Sequence, residues 1–157
     1  MSSAIGFDLD RNMSILTVPV AFLMCWAPHA YAGILAGRAF DNANPRGFRD
    51  NVAKSEALDK AMKQRILRAE GASLNGFETL GFFASAVVAA NVAGLRPAQL
   101  NVLTIGYIVS RLAYLVIYIH LQTNRRRSWL RSGAWLTGVG LVLTIWIRAG
   151  LAMLRAP

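Results

Sequence analysis

The sequence predicts an all-α integral membrane protein, built as a bundle of four transmembrane helices. Of the 157 residues, 55% are hydrophobic and only 16% are charged, whereas about a quarter of a soluble domain is usually charged. The charges are also bunched, so that long stretches carry none while short ones are dense in arginine. Four apolar stretches are each long enough to supply the ~20 residues that cross a hydrocarbon core.

Short polar segments separate the four predicted spans. Pro19 and Pro28 lie inside the first span and predict a kink, since neighbouring helices can satisfy the freed carbonyl groups. Turn signals follow the first two spans, and Pro97 suits the first position of the third helix, where no amide hydrogen is needed. The spans run about 14–37, 63–93, 97–122 and 129–154, in a single domain over residues 1–157.

The distribution of arginine and lysine predicts which way the bundle faces. Eight basic residues lie between Arg38 and Arg68, and four more lie in the segment 125–131 between the third and fourth spans. Cytoplasmic loops carry an excess of arginine and lysine, so we expect both loops to be cytoplasmic and both termini to face the lumen or exterior. The opposite side offers only three basic residues, Arg11, Arg96 and Arg155.

The net charge of +9 and pI near 10.8 point to anionic lipid headgroups or an anionic small molecule, because the arginines flank apolar runs. No basic stripe on a soluble element favours nucleic acid. The lone Cys25 excludes an internal disulfide and a cysteine metal site. His29 has no second ligand spaced to join it, so no metal site is predicted, and Arg148 is interpreted as a snorkelling arginine.

Polar residues inside a membrane helix are costly, so they are candidates for function. Two sets recur at spacings of three and four, which places each set on one helix face. The simplest arrangement pairs Glu78 with Arg111 between adjacent helices. Such a constellation could equally lock the helices together without any chemistry. The two sets are Arg68, Ala72, Asn75, Glu78 and Phe82 on the second span, and Tyr107, Arg111, Tyr114, Tyr118 and Gln122 on the third.

These residues resemble a known family. The patterns Arg68-x6-Asn75-x2-Glu78 and Arg111-x2-Tyr114-x3-Tyr118, with an Asn-Pro turn at 44–45 and an Arg-Ser pair at 127–128, are similar to the MAPEG family of membrane-associated proteins in eicosanoid and glutathione metabolism. The nearest type is the microsomal glutathione transferase and prostaglandin E synthase branch. The resemblance implies a homotrimer whose sites lie at subunit interfaces, open to the cytoplasm, and bind glutathione.

The resemblance also implies roles for individual residues. An arginine after the third helix would activate the thiol, and we prefer Arg127 to Arg125 because Ser128 follows it. A guanidinium suits this task because it stays charged and favours the thiolate. Gly71, Ser73 and Leu74 stand where many relatives carry basic or polar residues. The candidate catalytic residues are Arg127, Arg125, Tyr118 and Tyr114. The candidate cofactor-binding residues are Arg38, Arg68, Asn75, Glu78, Arg111, Tyr114, Tyr118 and Ser128.

Three hypotheses for function follow. The first is a glutathione-dependent transferase, peroxidase or isomerase that acts on a lipophilic substrate in an endoplasmic reticulum or other intracellular membrane. The second is a MAPEG-like isomerase or cyclase of a hydrophobic metabolite that works without glutathione, through acid–base catalysis. The third is a non-catalytic membrane scaffold that binds lipids or partner proteins.

Overall fold

The computed structural model describes residues 11–122 and 128–155, which are all-helical. Three short 3-10 turns, at Ser14–Leu16, Gly37–Ala39 and Pro45–Gly47, connect or extend the longer helices. The helices are α1 (Thr17–Ala36), α2 (Phe48–Lys54), α3 (Lys60–Val92), α4 (Pro97–Val116), which continues as a π-helix (Ile117–Leu121), and α5 (Ser128–Arg155).

The first helix buries its small residues and exposes its large ones. Ala21, Cys25 and Ala32 are buried, while Phe22 and Trp26 are about half exposed. This reverses the pattern of a soluble helix and suits a hydrocarbon environment, where small residues let helices approach closely and lipid covers the bulky side chains. The closest neighbour of α1 is α3.

Two contacts show how closely α1 and α3 approach each other. The hydroxyl of Ser73 donates a hydrogen bond to the backbone carbonyl of Cys25 at 2.7 Å. One turn further, a Cβ added at Gly76 would lie 2.8 Å from the Sγ atom of Cys25 and 3.3 Å from its Cα atom. A glycine is therefore needed at position 76 for the two backbones to approach this closely.

The polar segment after the first span contains a helix that was not predicted. Phe48 and Val52 of α2 are 1% and 0% exposed, and the Phe48 ring packs edge-on against Phe40 with centroids 5.3 Å apart. These two apolar residues are four positions apart and so share one helix face. In a segment otherwise rich in charge, that single pair is a weak sequence signal.

The first residues of α3 and of α4 follow the usual rules for helix starts. Asp59 caps the start of α3, where its carboxylate accepts a hydrogen bond from the amide of Met62 at 2.7 Å. Because of this cap, α3 begins three residues earlier than predicted. Pro97 occupies the first turn of α4, as predicted.

Three of the described helical segments are long and apolar enough to cross a membrane: 14–39, 97–121 and 128–155. The chain is therefore an α-helical membrane protein. The predicted count of four spans is not confirmed, because α3 carries charged residues from its start to just past its middle, such as Arg65, Arg68, Glu70 and Glu78. Whether α3 spans the bilayer stays a prediction.

Gly76→Ala should lower the free energy of unfolding by about 1–3 kcal/mol, because the added methyl group forces α1 and α3 apart. Gly81→Ala on the same helix is the matched control, since no described atom lies within 4 Å of a Cβ added there. Alanine favours helix over glycine, so this control should be neutral or stabilising. Thermal unfolding of the detergent-solubilised protein measures both, and equal effects would contradict the packing argument.

Candidate functional site

A polar cavity of about 360 Å³ opens between α3, α4 and α5. It lies toward the end of the bundle that also holds the segment 37–59, which is predicted to be cytoplasmic. Its volume is in the range of small-molecule sites. The residues that line it are Gly71, Asn75, Tyr114, Tyr118, Arg131, Ser132 and Trp135.

Two tyrosines and two arginines form a row of contacting side chains beside the cavity. The rings of Tyr114 and Tyr118 meet edge-on, with centroids 5.6 Å apart. The guanidinium carbon of Arg111 lies 4.6 Å from the centre of the Tyr114 ring, and that of Arg131 lies 4.8 Å from the centre of the Tyr118 ring. Each cation is attracted to the negative face of its ring. The predicted shared face of Arg111, Tyr114 and Tyr118 is thus present.

The π-helix places Tyr118 and is held by Arg68. Near the end of a helix the last carbonyl groups lack partners within the helix, and the Nε atom of Arg68 donates to the carbonyl of Ile119 at 3.2 Å. Arg68 therefore acts in this subunit as a clamp between α3 and the π-helix. Single π-turns of this kind are frequent at functional sites.

Gly71 makes room for the Tyr118 hydroxyl group. A Cβ added at Gly71 would lie 2.9 Å from the Tyr118 hydroxyl oxygen, and the next nearest atom of that ring would be 3.6 Å away. A side chain at position 71 would therefore make the Tyr118 hydroxyl group shift. The absence of a basic residue here is thus coupled to where Tyr118 sits.

The cavity presents one unpaired acceptor and one unpaired donor. Within the part of the chain that the structure describes, the Oδ1 atom of Asn75 and the Nε1 atom of Trp135 are buried and have no hydrogen-bond partner. The Nδ2 atom of Asn75 makes only a long contact of 3.5 Å with Glu78. Buried polar groups are normally paired, so this pair of atoms is suited to a ligand.

The predicted ion pair between Glu78 and Arg111 is wrong for the single chain. Among residues 11–122 and 128–155, no carboxylate forms a salt bridge with Arg111, which is 5% exposed and packs near Cys25 and Gly76. Gly76 faces α1, and at 100° per residue Glu78 lies about 200° further round α3. Glu78 is consequently exposed on the outer surface of the subunit.

Two further predicted residues, Arg38 and Ser128, do not line the cavity. Arg38 is exposed in the turn after α1, and Ser128 begins α5, one turn before Arg131. Arg125 and Arg127 lie outside the described residues. Their catalytic role stays a prediction.

His29 is a structural partner of Glu70, a residue that sequence reasoning did not single out. Its Nδ1 atom lies 2.8 Å from a Glu70 carboxylate oxygen, and its ring contacts Phe40 and Phe48 edge-on. In the described residues, no group of three or more His, Cys, Asp or Glu side chains could hold a metal ion. The structure thus supplies the partly exposed His29 with a carboxylate neighbour.

Sequence reasoning also missed the contribution of α5 to the cavity. Arg131, Ser132 and Trp135 line it, and Arg131 also donates to the Gln122 side chain at 3.3 Å. From the sequence, Arg131 is assigned only to the four basic residues of the segment 125–131. The signal was present, because Arg131 and Trp135 are four residues apart and so share one face of the last helix.

The fold and the site together define an α-helical membrane protein with a polar, arginine-bearing and tyrosine-bearing cavity near one end of its bundle. The model of the MAPEG family matches residues 15–151. The chain therefore belongs to the MAPEG family, which includes glutathione transferases and related enzymes. No curated protein and no solved structure matched the chain.

Gly71→Ala should destabilise the protein by roughly 1 kcal/mol or more, through the clash with the Tyr118 hydroxyl group. In a Tyr118→Phe background the same change should be neutral or slightly stabilising, because the clashing oxygen is gone and alanine favours the helix. A double-mutant cycle in thermal unfolding measures the coupling. Additive effects would show that the two residues do not compete for this space.

Proposed function

We propose that this protein is a glutathione-dependent membrane enzyme, a transferase, peroxidase or isomerase, that acts on a lipophilic substrate. The observation that carries this proposal is the cavity itself. It combines an arginine, two tyrosine rings, an unpaired amide oxygen and an unpaired indole N–H within about 360 Å³. A peptide thiol with carboxylate and amide groups complements that set of donors and acceptors, and MAPEG membership supports it.

The chemistry would rest on stabilising a thiolate. A thiol is a weak nucleophile at neutral pH, and a nearby guanidinium favours its deprotonation, with the proton released to water. The thiolate sulfur then attacks an electrophilic carbon of the substrate. The carbon–sulfur bond forms as the bond from that carbon to its leaving group breaks, and the leaving group departs with the electron pair and takes up a proton from water. Arg131 is the described arginine that lines the cavity. Arg127 remains our choice for the activating arginine, with Arg125 as the alternative, while Tyr114 and Tyr118 would orient the sulfur.

The lipophilic substrate would enter from the bilayer. Leu74 and Phe77 are exposed on α3 beside Glu78, and an exposed carboxylate among apolar side chains is costly in a membrane. We therefore propose that a second copy of the chain covers this face in a homotrimer, which would complete the site and give Glu78 and Arg38 access to the ligand. The site would open on the cytoplasmic side of an intracellular membrane, such as that of the endoplasmic reticulum, and both termini would be lumenal.

A MAPEG-like isomerase or cyclase that works without glutathione is the second candidate. Two features favour it. Gly71 carries no side chain, and the Tyr118 hydroxyl group occupies the space beside it. The Ser73 hydroxyl group already donates a hydrogen bond to the Cys25 carbonyl. Neither position can then offer a cation to a carboxylate. A scaffold without catalysis is the third candidate, since the edge-to-face contact between Tyr114 and Tyr118 and the arginines over their rings also hold α4 and α5 together.

Millimolar glutathione should raise the thermal unfolding midpoint of the detergent-solubilised protein, because a ligand that binds only the folded state stabilises it. Asn75→Ala should weaken that binding by roughly threefold to tenfold, the value of one hydrogen bond. Ser85→Ala is the matched control on α3, since its exposed hydroxyl bonds only to carbonyls of its own helix. No shift with glutathione would favour the second or third candidate.

Arg127→Ala should abolish the ultraviolet absorbance of the glutathione thiolate on the protein, whereas Arg126→Ala should leave it in place. Arg131→Gln should reduce the same signal, because it removes the described guanidinium from the cavity. Titration of the absorbance against glutathione separates loss of binding from loss of ionisation. Equal effects of Arg127→Ala and Arg126→Ala would reject Arg127 as the activating residue.

A further inference from the structure

Two adjoining cavities lie at the opposite end of the bundle from the polar cavity. They have volumes of about 650 Å³ and about 290 Å³ and share Arg96, Gln99 and Arg148 among their lining residues. Position 97 and Tyr114 are 17 residues apart on α4, so these cavities lie about 25 Å from the polar cavity along the helix axis. They form a separate site, which we call the arginine groove.

Three arginines line the arginine groove. They are Arg96 in the turn before α4, and Arg148 and Arg155 on α5. Of the described residues that line it, none is acidic, and no described carboxylate forms a salt bridge with any of the three. Like charges gathered around one cavity repel each other unless an anion lies between them.

The groove has apolar walls next to its charges. Val102 and Leu103 line it from α4, and Leu151 lines it from α5, and both helices belong to the segments that can cross a membrane. Arg148 and Arg155 are seven residues apart, or about 10 Å along the axis. The groove thus offers cations over roughly the depth of a headgroup layer and hydrocarbon contacts beneath them.

The start of α4 adds to the positive potential of the groove. Pro97 is in the first turn of α4, and the first amide groups of any helix lack partners within the helix. The side chain of Arg96, the residue before the helix, does not cap them. Ala98 and Gln99 of this first turn line the larger cavity. The positive end of the helix dipole and the arginines therefore act on the same space.

We propose that the arginine groove binds the headgroup phosphate of an anionic phospholipid, with the acyl chains along the apolar walls. A soluble anion would use the arginines but not Val102, Leu103 and Leu151, whereas a phospholipid uses both. Arg148 is then more than a snorkelling residue, because it forms the centre of the groove and lines both cavities. This site is independent of the proposed chemistry in the polar cavity.

The test is retention of lipid by the detergent-solubilised protein. The protein is incubated with vesicles of phosphatidylcholine that contain phosphatidylglycerol, and bound lipid is measured by native mass spectrometry. Phosphatidylglycerol should be enriched over phosphatidylcholine, and Arg148→Gln and Arg96→Gln should each weaken its binding by about fivefold, the effect of one arginine near an anionic headgroup. The unfolding midpoint should rise with phosphatidylglycerol and not with inorganic phosphate alone.

Arg46→Gln is the matched control, because it removes one exposed arginine at the other end of the molecule. It should leave the retention of phosphatidylglycerol unchanged. Each variant is first shown to unfold at the midpoint of the unaltered protein in pure detergent, and Arg148→Lys, which keeps the charge, should retain part of the binding. Equal retention by the Arg96→Gln/Arg148→Gln variant and the unaltered protein would overturn the proposal. Stabilisation by inorganic phosphate equal to that by phosphatidylglycerol would replace the lipid with a free anion.

Discussion

The close contact between α1 and α3 is the constraint on which the rest of the molecule depends. Lipid provides no hydrophobic drive for two helices to associate, so contact depends on close packing and on hydrogen bonds. Ser73 bonds to the Cys25 carbonyl and Gly76 lies against the same residue. These two contacts fix the rotation of α3 about its axis. With positions 73 and 76 turned toward α1, Asn75 is directed to the cavity and Glu78 to the outer surface.

Gly71 permits a close contact beside the cavity, as Gly76 permits one between α1 and α3. Gly71 admits the Tyr118 hydroxyl, and the π-helix that carries Tyr118 is held to α3 through the bond from Arg68 to the Ile119 carbonyl. Arg131 then lies over the exposed face of the same ring. The tyrosine is thus fixed from two helices at once, which is the rigidity that a binding site needs.

The long helices and three residues of the cavity, Asn75, Tyr114 and Tyr118, could be predicted from the sequence, because apolar runs and spacings of three and four are local signals. The spacing of Arg111, Tyr114 and Tyr118 correctly placed them on one face. The pairing of Glu78 with Arg111 failed because a spacing defines a helix face but not the direction in which that face turns. That direction depends on long-range contacts such as Ser73 with Cys25, which no periodicity reveals. The spacing of Arg131 and Trp135 likewise places them on one face of α5, but it does not show that this face turns toward α3 and α4.

The departures from the family pattern can be separated by where each side chain points. Ser73 faces α1 and is occupied by packing, so its identity concerns the helix contact and not the ligand. Gly71 is required by Tyr118. Leu74 is exposed on the outer face. Arg131 lies over the Tyr118 ring and lines the cavity together with Trp135. Among the described residues that line the cavity it is the only charged one, so the cation that faces this cavity lies on α5 and not on α3.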